Sequence, residues 1–130
     1  MDIDHPVITD DVVKAAEEAR SNAYAPYSEF TVGAAIVTCN GEVYTGANIE
    51  NINFSNTEHA EELALNKAVH DGHREFDALV LTFSGEPVAP CGMCRQSLSE
   101  FCDADFEIVI PEHGITTLGE LLPDAMDDIS

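Results

Sequence analysis

The stretch EHAEELALNKAV, residues 58–69, joins a helical pattern to reactive side chains at its start. From Glu61 onward the apolar residues recur at the spacing of an amphipathic helix, and Thr57 is a residue type that caps helix N-termini. We therefore predict a helix from Thr57 to about Asp71, with His59 in its first turn. Because His59 and Glu61 are two residues apart, both can approach one bound group only beyond the N-terminal end of that helix.

A second reactive motif, PCGMC, occupies residues 90–94. Pro90 suits the first turn of a helix, and the three-residue spacing then places Cys91 and Cys94 on one helical face. The free amides and positive dipole end of a helix N-terminus lower the pKa of thiols, and the thiolate is the form that binds metal. His59, Cys91 and Cys94 are therefore candidate ligands of one metal ion.

Other interpretations of these residues stay open at this point. Three protein ligands are typical of catalytic zinc, whereas a structural site needs a fourth, which His113 or Cys102 could supply. Cys91 and Cys94 could instead form a redox pair, although their flanks lack a thioredoxin-like strand–helix start. Glu61 fits either a proton carrier beside activated water or a carboxylate that interacts with the helix dipole.

The rest of the chain predicts strands that alternate with helices. A helix is expected at residues 9–24, strands at 30–38, 42–45, 78–83 and 106–110, and a short capped helix after Thr117. This order indicates an α/β fold, in which helices pack on the faces of a sheet. At 130 residues we expect a single domain, residues 1–130.

The remaining cysteines and histidines lack the spacing of metal ligands. We expect Cys39 and Cys102 to be small buried apolar side chains. We expect the other histidines to lie at the surface: His5, His70, His73 and His113.

Charge is the unusual feature of the composition. Twenty-five acidic and five basic residues give a formal net charge of −20, which argues against nucleic-acid and anionic membrane partners. At molar salt the screening length falls to about 3 Å, so we hypothesise adaptation to a salty cytoplasm. The opening MDIDHPVITD has neither the basic start nor the apolar core of a signal peptide, and we expect a cytoplasmic protein.

The motifs together resemble the small, zinc-dependent cytidine deaminases. Their H-x-E…P-C-x-x-C signature matches residues 59–61 and 90–94. AYAPYSEFTVGAA at 23–35 and TGANIEN at 45–51 look like the nucleoside-binding segments of the free-cytidine enzymes, and LGELLP at 118–123 resembles their C-terminal segment. The resemblance implies a cytidine deaminase-like α/β/α sandwich, in which a mixed sheet of about five strands carries helices on both faces. It also implies a homotetramer with composite active sites.

The same resemblance implies a role for each matching residue. One Zn²⁺ per chain would be held by His59, Cys91 and Cys94, while Glu61 would carry the proton of the attacking water to N3 of cytosine and to the departing amine. The nucleoside would be bound by Phe30, Asn48, Glu50, the Ala60 amide and the Ala89 carbonyl. Arg95 and Gln96 would orient the thiolates and the pocket. The implied reaction converts cytidine and deoxycytidine to uridine and deoxyuridine with release of ammonia, as in pyrimidine salvage.

The sequence departs from many short relatives at four places. His59 stands where they have a third cysteine, and Glu62 stands where they have an arginine. With two thiolates and a neutral imidazole the zinc site is formally neutral, so a compensating arginine is unnecessary and the bound water should be more acidic. Met126 aligns with a phenylalanine that stacks on the base, and residues 111–117 form a shorter hairpin, so a reduced edge strand is expected.

Two other functions compete with this one. A deaminase of the same mechanism could act on a cytosine nucleoside antibiotic of the blasticidin type, but Asn48 and Glu50 favour a plain ribose diol. A non-enzymatic, zinc-stabilised assembly protein could keep the fold without turnover, but the three-ligand set and Glu61 argue against it. Deamination of polynucleotides is disfavoured by the acidic composition.

Overall fold

The computed structural model describes residues 5–85 and 92–121. It contains the predicted five-stranded mixed sheet, in the order β2-β1-β3-β4-β5. The strands are β1 Val32–Thr38, β2 Val43–Ala47, β3 Phe76–Phe83, β4 Glu107–Ile110 and β5 Gly114–Thr117. β3 and β4 are parallel, whereas the other neighbours are antiparallel. The edge strand β5, which the short 111–117 segment predicted to be reduced, has four residues.

Helices cover both faces of the sheet, as predicted. They are α1 Asp10–Arg20, α2 Ala60–His70, α3 Gly92–Phe101 and the short α4 Leu118–Leu121. Because side chains alternate along a strand, Ala78 and Val80 of β3 pack in the core with α1, while Leu79 and Leu81 pack in the core with α2 and α3. The result is a three-layer α/β/α sandwich with one apolar core on each side of the sheet.

Two glycines let the helices approach the sheet closely. A Cβ on Gly33 would lie 2.1 Å from the Ala16 carbonyl oxygen of α1, and a Cβ on Gly46 would lie 2.3 Å from the Ala60 carbonyl oxygen of α2. Any side chain at these positions would push the helix away. Gly46 therefore sets the height of the first turn of α2 above β2, which is where the predicted reactive residues lie.

The prediction that Thr57 caps α2 is wrong, because the N-cap is His59. The Thr57 hydroxyl oxygen instead accepts the Asn51 amide at 3.1 Å, within the asparagine-rich loop. The hydroxyl is used to order that loop, so the helix starts two residues later than expected. His59 consequently stands at the cap with extended backbone angles and not in the first turn. The first predicted helix also ends earlier, at Arg20.

Two expectations about burial are also wrong. The His5 side chain is 4% exposed, with its Nε2 2.8 Å from Glu107 Oε1, and its Nδ1 accepts two backbone amides. Cys39 is exposed, not buried. Its Sγ lies 3.2 Å from Asp77 Oδ1, and this bond to a carboxylate raises the pKa of the thiol to about 11. Both contacts join distant parts of the chain, which local patterns do not reveal.

Within residues 5–85 and 92–121, none of the helices has the length and apolar character required to span a bilayer.

Candidate active site

A cavity of about 280 Å³ opens at the N-terminal end of α2. Six residues predicted to act in the site line it: Phe30, Asn48, Glu50, His59, Ala60 and Glu61. Ser28, Val32, Thr57 and Phe83 complete the described lining and were not predicted to act in the site. Four separate parts of the chain, residues 28–32, 48–50, 57–61 and Phe83, thus bring an imidazole, a buried carboxylate and a polar wall together around one space.

The start of α2 provides the reactive end of the cavity. His59 is its N-cap, and Ala60 is the first helical residue, whose N–H has no acceptor within the helix. Glu61 is 6% exposed, and its removal from water raises the pKa of its carboxyl group. A buried carboxyl group with a raised pKa, beside an imidazole at a helix N-terminus, is suited to accept and return protons.

The polar wall is formed by residues 48–50, whose backbone is hydrogen-bonded to a neighbouring chain segment on each side. Ile49 exchanges two backbone hydrogen bonds of 2.8 Å with Glu58, while the Glu50 amide donates to the Tyr24 carbonyl at 2.8 Å. Because side chains alternate along this extended segment, Asn48 and Glu50 both face the cavity and Ile49 faces outward. The backbone therefore fixes the two polar side chains side by side.

The amide of Asn48 joins the polar wall to the segment that carries Phe30. Its Nδ2 donates to the Phe30 carbonyl at 2.8 Å, and its Oδ1 accepts the Val32 amide at 2.9 Å. The Phe30 ring stacks on Phe83 with centroids 5.9 Å apart. The Asn48 side chain keeps one N–H and one lone pair beyond these bonds, so it can still meet a ligand hydroxyl.

Glu50 is the most strongly bonded carboxylate in the cavity lining. Its Oε1 accepts the amides of Tyr27 and Ser28 at 3.0 and 3.1 Å, and its Oε2 accepts the Ser28 hydroxyl. The hydroxyl bond is the main cause of a lowered pKa, and the two amides lower it further against the opposing effect of burial. Ser28 lies in the PYSEF segment at residues 26–30, within a predicted nucleoside-binding segment. The sequence did not reveal its hydrogen bond to Glu50, because the two residues are 22 positions apart.

Of the predicted metal ligands, His59 is the one whose side chain the structure describes. Cys91 and Ala89 lie outside the described residues, as do the side chains of Cys94 and Arg95 and all of Met126. α3 begins at Gly92, immediately after Cys91, and it packs with α2 in the same apolar core. One imidazole nitrogen and two thiolates suit Zn²⁺, so the residues present fit a zinc ion.

Gln96, predicted to support the site, faces a different space. It lines a second cavity between α2 and α3 with Leu65 and Asn66, and its Nε2 lies 3.1 Å from Ser99 Oγ. Its role in orienting the metal ligands therefore stays a prediction.

Another histidine–carboxylate cluster lies at the opposite end of α2. Ligand atoms of Glu42, Asp71 and His73 lie within 4.8 Å of one another. His73 Nε2 is 2.5 Å from Glu42 Oε2, and the Tyr44 hydroxyl donates to Asp71. The sequence analysis did not identify this cluster, because its members come from a hairpin, a helix end and a loop. Both carboxylates are exposed, whereas Glu61 is buried.

The mixed sheet between helices, with a His-x-Glu pair at a helix N-terminus, defines a zinc-dependent nucleobase deaminase fold and site. The family model described as the cytidine and deoxycytidylate deaminase zinc-binding region matches residues 8–110. The chain belongs to this family. The predicted resemblance is therefore confirmed.

Individual relatives agree with this assignment. The chain is similar to a cytidine deaminase of Sporosarcina psychrophila, with 42% identity over 92% of this chain and 93% of the relative. A crystal structure of cytidine deaminase from Burkholderia pseudomallei superposes with a TM-score of 0.81 at 41% identity, covering 88% of this chain and 96% of that one. The Mycobacterium tuberculosis enzyme gives 0.81 at 36% identity, covering 95% and 98%.

Proposed function

We propose that the protein catalyses the zinc-dependent hydrolytic deamination of cytidine and deoxycytidine, giving uridine and deoxyuridine with release of ammonia, in pyrimidine salvage. The observation that carries this proposal is the convergence of His59, buried Glu61, Asn48 and Glu50 on one cavity, in a chain of the cytidine and deoxycytidylate deaminase family. The reaction is a hydrolysis that consumes one water and exchanges the exocyclic amine of cytosine for an oxygen.

In the proposed mechanism, protons are transferred by a residue at the start of α2. His59, Cys91 and Cys94 would hold the zinc ion, which when bound would supply the Lewis acidity that makes water nucleophilic near neutral pH. The Glu61 carboxylate takes one proton from the attacking water and delivers it to N3 of the base as the hydroxyl adds to C4. It then transfers the proton of that hydroxyl to the amine, which leaves as ammonia while the C4 carbonyl forms. Its burial supports this role, because removal from water raises the pKa of the carboxyl group and so favours uptake of a proton.

The proposed nucleoside-binding groups surround the rest of the cavity. The remaining hydrogen-bonding capacity of Asn48 and Glu50 suits the ribose hydroxyls, and the Phe30 ring packs against the nucleoside. The unpaired helical N–H of Ala60 suits the base carbonyl. The Ala89 carbonyl and the exocyclic amine form the corresponding proposed contact outside the described residues.

Spectrophotometry provides the direct test. The zinc-loaded protein at molar salt should remove the absorbance of cytidine and release one equivalent of ammonia, with deoxycytidine consumed as well. Parallel assays with a blasticidin-type nucleoside test the antibiotic alternative. Loss of that compound without loss of cytidine would replace the proposed substrate, and release of ammonia from neither would favour the non-enzymatic assembly protein.

We further propose that the protein acts as a homotetramer. Large apolar side chains beside the cavity are exposed: Tyr24, Tyr27, Ile49 and Ile52. Ile49 lies between the two residues of the polar wall, so a partner covering this patch would lie against the cavity. Light scattering at assay concentration should give a tetramer, and a monomer of full activity would contradict the proposal.

Three broader proposals complete this account. A single sheet with one core on each face supports one domain over residues 1–130.

A cytoplasmic location is supported by the need for reduced Cys91 and Cys94 to hold zinc. Salt adaptation is supported by the net charge of −20, and it predicts that the thermal midpoint rises between low and molar salt. An unchanged midpoint would count against adaptation.

A further inference from the structure

We infer that Ser28 is a positioning residue that holds the Glu50 carboxylate in the orientation needed to accept a ribose hydroxyl. The inference rests on the proposed function, since it concerns the same cavity. Ser28 contributes both its backbone and its side chain to one carboxylate: the amide donates to Oε1 at 3.1 Å and the hydroxyl donates to Oε2. Both oxygens of Glu50 are thus fixed by one residue.

The hydroxyl of Ser28 also connects Glu50 to the aromatic wall. Its Oγ accepts the Phe30 amide at 3.0 Å while donating its own proton to Glu50. Because the acceptor site is occupied by an N–H, the hydroxyl proton is directed to the carboxylate. The intervening Glu29 has a positive φ of 61°, an uncommon conformation for a residue other than glycine, and it bends the chain so that both contacts are made.

The number of acceptors on Glu50 shows why its orientation matters. A carboxylate has about four lone-pair sites, and the amides of Tyr27 and Ser28 with the Ser28 hydroxyl use three of them. One site remains for the nucleoside. Without the Ser28 hydroxyl the carboxylate would keep only its Oε1 bonds, so Oε2 could rotate away from the cavity.

Steady-state kinetics of Ser28→Ala tests the inference. Loss of a hydrogen bond to a charged group should raise KM for cytidine roughly tenfold, while kcat stays within about twofold because Glu61 is untouched. Ser28→Thr keeps the hydroxyl, and the exposed position has room for the methyl group, so it should restore KM. The matched control is Ser21→Ala, which removes an exposed hydroxyl bonded to the Glu18 carbonyl and should leave KM unchanged.

Two comparisons separate positioning from general loosening of the loop. In a Glu50→Gln background, Ser28→Ala should add less than about a twofold change in KM, because the group it positions is already altered. Wild type and Ser28→Ala should turn over 2′,3′-dideoxycytidine, which lacks the 2′ and 3′ hydroxyls of the ribose, with equal kcat/KM. A tenfold KM penalty that persists in either comparison would overturn the inference.

The outcomes also distinguish this inference from the proposed function. If wild type releases ammonia from cytidine and Ser28→Ala has an unchanged KM, the positioning role is wrong and the deaminase function stands. If wild type releases no ammonia from cytidine, the proposed function fails and the positioning role fails with it.

Discussion

The two ends of helix α2 each combine an imidazole with carboxylates, but their surroundings differ. At the N-terminal end, His59 caps the helix and Glu61 is 6% exposed within a cavity. At the C-terminal end, His73 lies against exposed Glu42, which already accepts hydrogen bonds. Residue types alone would make both ends plausible sites. Burial and unpaired helical amides distinguish the end that is suited to catalysis.

The largest expected effect comes from removing the proposed ligand at the N-terminal end. His59→Ala should reduce bound zinc well below one per chain and lower deamination to background, because the thiolates of Cys91 and Cys94 alone do not complete a three-ligand site. Metal analysis after gel filtration measures the change. His73→Ala is the matched control at the other end and should keep both zinc and activity. Loss of zinc from His73→Ala would contradict the assignment of the zinc site to the N-terminal end of α2.

The next largest effect tests the buried carboxylate. Glu61→Gln should keep zinc but lower kcat by about 10³-fold, within the usual range for loss of a general acid–base. Glu42→Gln makes the same chemical change at the exposed end and should leave kcat within about twofold. Ammonia release and zinc content are measured on the same samples. A Glu61→Gln variant with near-normal kcat would contradict the assignment of proton transfer to this residue.

Sequence patterns predicted the sheet and the helices of this fold better than the residues at which individual helices begin. The continuous apolar run at residues 78–83 predicted a buried strand, and in β3 Val80 packs on one face of the sheet and Leu81 on the other. The cap of α2 was misassigned, since the intrinsic preference of threonine for helix N-termini does not reveal that the Thr57 hydroxyl is bonded to the loop. Helix propensity describes the position in a helix that a residue type favours. In the folded protein, hydrogen-bond partners elsewhere in the chain can compete for the same side chain and determine its role.

The candidate site shows the same limit. The His-x-Glu motif is local and was visible in the sequence, and the resemblance supplied Asn48 and Glu50. Ser28 was missed because the hydrogen bonds that give it a role connect it to Glu50, 22 residues away. The contact of His5 with Glu107, over 102 residues, was missed for the same reason. Long-range pairing of polar groups has no periodic signature in a single sequence.

A smaller effect is expected from Gly46, which lies against the first turn of α2. Gly46→Ala would place a Cβ 2.3 Å from the Ala60 carbonyl oxygen, which displaces the first helical turn. We expect a loss of about 2–3 kcal/mol in the free energy of unfolding and about 100-fold in kcat/KM, since a shift near 1 Å misplaces Glu61.

Gly72→Ala provides the contrast at the C-terminal end. Its φ is 102° and a Cβ would meet no atom within 4 Å, so the cost is backbone strain alone. A loss of about 1–2 kcal/mol in unfolding free energy with unchanged kcat/KM is expected. Chemical denaturation and kinetics on both variants measure the pair. Equal activity losses would show that the close approach of β2 does not position the catalytic end.

The smallest effect concerns the exposed cluster and appears only at high pH. Tyr44 donates to Asp71, and this bond, with a smaller contribution from burial, raises the pKa of the phenol from 10.0 to about 12. The folded state therefore favours the neutral phenol, so the resulting stabilisation is complete below pH 10 and is lost as the pH rises toward 12. Ultraviolet titration should show one of the three tyrosines ionising late.

Tyr44→Phe should remove the late tyrosine ionisation, and Asp71→Asn should move it back toward pH 10. Both variants should keep the kcat/KM of wild type at neutral pH, because the exposed cluster lies at the end of α2 away from the cavity. A change in kcat/KM would mean that the C-terminal end of α2 communicates with the catalytic end. A late ionisation that persists in Tyr44→Phe would assign it to Tyr24 or Tyr27 and remove the proposed bond to Asp71.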